Sequence, residues 1–193
     1  MASAITTSAP TGWAQIARRI RVPLGFLFAV FYFWMAKPTW TSLGIGLCVA
    51  IPGLLIRALA SGHVKKNEEL TTSGPYAYTR NPLYLGSFIL ALGFAVAARS
   101  VWVGIVMVLF IAAIYFPVIL SEEAFLRSQF AEFDDYARRV PRLIPYRIPR
   151  PEARSPEDSF SWVLYQKHRE YNAVLGILGM LAALIAKMWL INR

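Results

Sequence analysis

Five apolar blocks, residues 22–36, 40–60, 83–98, 101–120 and 173–191, take up about half of this chain and decide its solvent. A helix needs about 20 mostly apolar residues to cross a bilayer. A chain that buries such blocks in lipid must satisfy its backbone internally, which leaves helices or a closed barrel. Only 16% of the residues are charged and the mean hydropathy is +0.46. The blocks are too long and too continuous for barrel strands. The expected fold is therefore all-α: a polytopic membrane protein of about five transmembrane helices. Pro52 and Pro117 should kink the second and fourth spans. Arg99-Ser100 is so short a link that the third and fourth spans must form an antiparallel hairpin. The first block follows Arg18, Arg19 and Arg21, as a signal peptide would. Met35-Ala36-Lys37-Pro38 is a poor cleavage site, so a retained span reaching towards Trp40 is expected.

The chain carries 20 Lys and Arg against 11 Asp and Glu. These basic residues flank the apolar blocks and form no separate polar domain, so the membrane is the expected partner and nucleic acid is not. With the N-terminus inside, only Lys37, Arg99, Lys187 and Arg193 fall on or towards the far side, and every acidic residue falls inside. The positive-inside rule then gives N-in, C-out, in an inner or plasma membrane, with all polar chemistry on the cytoplasmic face. Cys48 is the only cysteine, and His63 and His168 lack metal-ligand spacing, so no metal site is expected.

Residues 121–140 place Leu126, Phe130, Phe133, Ala137 and Val140 at helical spacing, the pattern of an amphipathic cytoplasmic helix. Five prolines in 141–159 mark an extended linker. The expected organisation is 1–60 for spans 1 and 2, then 61–145 for a core containing the hairpin and the amphipathic helix. A cytoplasmic linker, 146–172, and a C-terminal span, 173–193, follow. Gly44-Ile45-Gly46 lacks a third glycine and lies inside a span, which reads as helix packing. Gly176, Gly179, Ala183 and Ala186 line one side of the last span, a surface suited to close packing with a second copy or within the chain.

The polar residues concentrate in two places, Glu68–Tyr84 and Glu122-Glu123. Asn81 suits an N-cap and Pro82 the first helical position of the third span. The amides near Leu83 and Tyr84 would attract a carboxylate or phosphate. Gly74-Pro75 makes a turn that lays Tyr76 beside that helix start, and Tyr76, Tyr78 and Tyr84 offer ring faces to a cation. The hairpin returns the glutamate pair to the same depth. A ligand with a carboxylate, an ammonium and a sulfonium matches this set, as S-adenosylmethionine does. Singly, each residue also has a plainer role: interfacial tyrosines, Glu122-Glu123 at a helix start, Arg80 as one more inside charge.

Gly74-Pro75-Tyr76-x-x-x-Arg80-Asn81-Pro82-x-Tyr84-x-Gly86, followed by Glu122-Glu123, Phe130, Tyr136, Val140-Pro141 and Pro145, resembles the signature of the isoprenylcysteine carboxyl methyltransferase and phospholipid methyltransferase group. The resemblance covers roughly 61–145. It implies an integral-membrane methyltransferase that binds S-adenosylmethionine through Glu68, Glu69, Leu70, Thr71, Tyr76, Asn81, Pro82, Leu83, Tyr84 and Glu122. Glu123 and Arg80 become candidate catalytic residues, Glu123 as a base or as the partner of Arg80. The acceptor would be lipophilic, a prenylcysteine-like carboxylate, a phospholipid amine or similar, entering from the bilayer. Two positions depart from the group: Asn81 stands for its usual His, and Val118 for the arginine that its carboxyl methyltransferases place four residues before the first glutamate. Membrane sterol reductases resemble the same signature, which implies an NADPH-dependent reductase as an alternative. A non-catalytic membrane adaptor is another.

Overall fold

A computed structural model describes residues 12–65, 68–146 and 159–191. Within them the chain is helical and has no strand: α1 (Gly12–Met35), α2 (Trp40–Ser61), a 3-10 turn (Gly74–Ala77), α3 (Pro82–Ala98), α4 (Val101–Phe110), a π turn (Ile111–Tyr115), α5 (Phe116–Gln129), α6 (Phe133–Arg139), α7 (Trp162–Lys167) and α8 (Tyr171–Ile191). Helices α4 and α5 join through the π turn into one apolar rod, Val101–Gln129. Among the described residues, that rod, α2 and α8 are the three helices long and apolar enough to cross a membrane. The other two expected spans are helices of a different kind. Helix α3 has 17 residues, about 25 Å at the α-helical rise, and α1 carries Arg18, Arg19 and Arg21 in its first half. Both run between the same two ends of the bundle as the longer helices. At one end Lys37 N–H bonds the Ala98 carbonyl and Ser42 Oγ donates to Ala97 O. At the other, Ala17 of α1 packs with Ile114 of the π turn and Val118 of α5.

The tightest contact joins α2 to α3, and glycine makes it. A Cβ on Gly46 would lie 2.6 Å from the Gly93 carbonyl, and one on Gly53 would lie 2.6 Å from that of Gly86. Two pairs of glycines seven residues apart thus let antiparallel backbones touch, the usual way that helices gain contact without a hydrophobic drive in lipid. Gly46 packs as expected; Gly44 faces open space. Gly176 and Gly179 on α8 also have nothing within 4 Å, so that small-residue side is not packed within the described chain. Helix α8 instead inserts Leu184 and Met188 into a cluster with Tyr32, Leu43, Ala98 and Val103. Its Lys187 ammonium donates to the carbonyls of Phe33, Trp34 and Ala36, capping the C-terminal end of α1.

The hairpin forms as expected, with Arg99 in the left-handed conformation (φ 50°) at its turn. Pro117 acts through the π turn just before it. Proline has no N–H for the Ala113 carbonyl, and Trp13 Nε1 donates to that carbonyl at 3.0 Å. The amphipathic helix expected over 121–140 is interrupted. Helix α5 ends at Gln129, Phe130 turns extended (φ −123°, ψ 118°), and α6 restarts at Phe133. The break lets Phe133 and Tyr136 point inward, where both are buried. The expected linker holds α7, and residues 147–158 lie outside the described residues.

Candidate active site

The polar residues gather where α3 begins and the α4–α5 rod ends. Gly74 opens the turn in a left-handed conformation (φ 56°) that disfavours a side chain, and a Cβ there would strike the His63 ring at 2.5 Å. Pro75 fixes the second position of the 3-10 turn, which buries Tyr76. Tyr136 O–H from α6 donates to the Tyr76 carbonyl at 2.7 Å. Burial pushes the Tyr76 phenol above its ordinary range, and the carboxylates of Glu122 and Glu170 push it further. Tyr78 lies on the exposed side of the turn, so it does not join Tyr76 and Tyr84.

Asn81 holds the N-cap position, yet its side chain does not cap α3. Its Nδ2 donates to Glu123 Oε1 at 2.9 Å and to the Arg142 carbonyl at 3.0 Å. The capping expectation fails because the two bonds that Nδ2 donates fix the orientation of the amide, and its oxygen accepts from no N–H of the first turn. The first amides of α3 therefore have no side-chain cap. Glu123 is almost fully buried and is shared: Arg142 Nε donates to its Oε2 at 3.0 Å and Arg80 Nη1 stands 3.4 Å from the same oxygen. Burial pulls the Arg80 guanidinium below its ordinary value, and Glu123 pushes it back up. Arg80 also lies over the Phe133 ring, 6.0 Å from its centre. Arg80 N–H bonds the Pro141 carbonyl and Thr79 Oγ1 that of Arg142, so the segment after α6 braces the start of α3.

Glu122 points elsewhere. Its Oε1 accepts from Tyr84 O–H at 2.8 Å, and Oε2 has no hydrogen-bond partner among the described residues. Tyr84 packs edge-on against Tyr115 of the π turn. Of the remaining expected contacts, Pro82 is buried and Leu83 half-buried at the helix start. Glu68 and Glu69 are exposed and pair with Lys167 (3.4 Å) and Lys65 (2.9 Å). Leu70 is half-buried, and Thr71 Oγ1 accepts from Lys65 N–H. No group of three or more His, Cys, Asp or Glu side chains is placed to hold a metal ion among the described residues.

Sequence reasoning missed a second buried pair. Arg57 on α2 meets Glu170 through two bonds, Nε to Oε1 at 2.6 Å and Nη2 to Oε2 at 3.0 Å. Its Nη1 reaches the Leu83 carbonyl and Ser87. Glu170 thereby ties the start of α8 to the first turn of α3. The signal was present in Arg57, a lone charge inside an apolar block, which in a membrane helix points to a buried partner.

An all-helical membrane protein with a tyrosine turn, an arginine-asparagine-proline helix start and a glutamate pair at one end of a hairpin is of the membrane methyltransferase type. The chain belongs to the phospholipid methyltransferase family, whose sequence pattern matches residues 20–132. It is 40% identical over 134 residues to a cobalt-zinc-cadmium resistance protein of Cupriavidus metallidurans, covering 65% of this chain and 61% of that one. It is 38% identical over 113 residues to a nickel-cobalt-cadmium resistance protein of Alcaligenes xylosoxydans xylosoxydans, covering 58% and 52%. A protein-S-isoprenylcysteine O-methyltransferase of Rattus norvegicus is 32% identical over 129 residues, covering 59% and 45%. These matches span between about half and two thirds of the two resistance proteins and less than half of the methyltransferase. No solved structure matches the chain.

Proposed function

We propose that this chain is a membrane methyltransferase that uses S-adenosylmethionine and a lipophilic acceptor. The observation that carries the reading is Glu122: a half-buried carboxylate, oriented by Tyr84, with one oxygen unspent and in Coulombic reach of Tyr76. These residues fit the donor. A carboxylate and an aromatic face suit its cationic groups, and the uncapped first turn of α3 suits its carboxylate. When bound, S-adenosylmethionine supplies a methyl group on a positive sulfur, which an acceptor atom takes while the S–C electron pair returns to sulfur. Tyr84 holds Glu122 in one orientation. The Glu123 network fixes the α3 start, and Tyr136 fixes the Tyr76 turn. Positioning of this kind supplies most of what an in-line transfer needs.

The acceptor would enter sideways from the bilayer and the donor from the cytoplasm, with the N-terminus inside. A reporter fused after Arg193 should then be active only outside; activity inside would overturn the orientation. The function is tested by incubating purified protein with labelled methyl donor and a lipid extract, and by titration with S-adenosylhomocysteine and NADPH. Label transferred to a lipid, with binding of S-adenosylhomocysteine alone, supports the reading. Binding of NADPH alone would turn it to the reductase.

A further inference from the structure

Helix α8 lies beyond residues 20–132, which match the family, yet its start is tied to the site. Ser161 N–H bonds the Gly62 carbonyl at 2.9 Å, and His168 Nδ1 lies 3.0 Å from that of Ser61, so the segment around α7 crosses the end of α2. The Phe160 ring fills the space that a Cβ on Gly62 would need, 2.2 Å from its nearest atom. Arg169 then takes a left-handed conformation (φ 52°), which is costly for a residue with a side chain. The next residue is Glu170, only 8% exposed. A buried carboxylate needs a partner. Glu170 gives both oxygens to Arg57, and Arg57 Nη1 goes on to the Leu83 carbonyl at 3.3 Å and to Ser87 Oγ. Ser87 Oγ donates to the same carbonyl at 2.8 Å. Two side chains thus hold one carbonyl in the first turn of α3, the turn whose N–H groups have no side-chain cap. A guanidinium beside the N-terminal end of a helix meets the positive end of its dipole, which is unfavourable alone. Glu170 neutralises it there, and the planar fork lets one side chain bond carboxylate and carbonyl together. The Glu170 charge also raises the Tyr76 phenol. The same carboxylate therefore stands near the Tyr76 turn as well as the α3 start.

We propose that Glu170 is a positioning residue of the methyl-donor site, fixing through Arg57 the first turn of α3, where the uncapped amides receive the donor's carboxylate. This rests on the methyltransferase reading and brings the C-terminal helix into its donor site. Glu170 spends both oxygens on Arg57, so it acts through that arginine and does not touch the donor.

The test is calorimetric titration with S-adenosylhomocysteine of detergent-solubilised proteins, each well below its unfolding midpoint, together with hydrogen exchange of the Leu85 to Phe88 amides. Glu170→Gln should bind about tenfold more weakly than wild type and exchange these amides faster. Arg57→Lys keeps a charge for Glu170 but not the fork, so it should keep most of the midpoint and still lose donor affinity. Lys187→Gln, near the far end of α8, loses its three carbonyl bonds and should lower the midpoint with donor affinity unchanged. If Glu170→Gln does not fold, Glu170→Asp, which draws the carboxylate back by one methylene, should lose part of the affinity. Wild-type affinity in the folded Glu170 variant or in Arg57→Lys would overturn the proposal. Equal weakening in Lys187→Gln would overturn it too, because affinity would then follow stability alone. If no protein binds the ligand, the methyltransferase reading falls. Faster exchange in Glu170→Gln then leaves Glu170 as the residue that sets the α3 start, and unchanged exchange removes that role as well.

Discussion

Replacing Glu123 by Gln distinguishes a proton acceptor from a structural charge. Glutamine keeps the Oε1 acceptor for Asn81 Nδ2, which stands 2.9 Å away. In place of Oε2 it puts an amide NH2 against two guanidinium groups, at the positions now 3.0 Å and 3.4 Å away. Arg80 is left buried, with a side chain only 11% exposed and an Nε that already lacks a partner. Removing one member of a buried pair costs about 3–5 kcal/mol. Arg142 is 42% exposed and recovers part of its loss by hydration, so the lower end applies. The expected cost is about 3 kcal/mol, somewhat over a hundredfold in the folded-to-unfolded ratio. Adding Arg80→Gln removes the stranded charge and should recover about 1 kcal/mol. The assay is unfolding by sodium dodecyl sulfate in mixed micelles, followed by tryptophan fluorescence. An unchanged midpoint for Glu123→Gln with methyl transfer abolished would refute this account and make Glu123 the base.

Glu122→Gln should weaken S-adenosylmethionine roughly ten- to a hundredfold, since a buried charged hydrogen bond contributes about 1.5–3 kcal/mol; titration of the solubilised variant measures it, with Glu132→Gln on the exposed side as control. Tyr76→Phe should cost less than Tyr76→Ala in the same titration if the ring face is what the donor meets. Glu170→Gln should lower the unfolding midpoint and weaken donor binding, because Arg57 then loses the carboxylate that steadies it against Leu83; normal donor binding would place α8 outside the site. Burial keeps the Tyr76 and Tyr136 phenols neutral beyond their ordinary range. Above about pH 10 the unfolded chain therefore loses protons first, and stability falls as pH rises. A Tyr136→Phe protein should show a shallower fall in thermal scans across that range.

The helices were legible because lipid leaves the backbone so few options: apolar blocks of such length read directly as α1 to α5 and α8. The packing role of Gly46, the Tyr76 turn and the return of Glu122 to the level of Asn81 followed from spacing and from the two-residue hairpin link. The break at Phe130 was not legible, because Leu126, Phe130 and Phe133 keep helical periodicity on both sides of it. The side-chain orientation of Asn81 was hidden too, since its amide can accept as a cap or donate to a buried carboxylate, and nothing local in the sequence places Glu123 beside it. Arg142 sits in what reads as a polar linker, and Arg57 and Glu170 are 113 residues apart. Only the fold brings such pairs together.

The π turn at Ile111–Tyr115 sets the phase of everything after it. Such a turn absorbs one extra residue, and each residue of a regular helix advances by about 100°. Were the rod regular throughout, Glu122 would swing by that angle about the axis, away from Tyr84, and Glu123 would leave the space between Arg80 and Arg142. Length and angle are thereby uncoupled. Removing one residue from within 111–115 can be taken up by relaxing the turn, with both glutamates kept in register. Removing one between Phe116 and Ser121 has no such outlet and misaims both carboxylates at once.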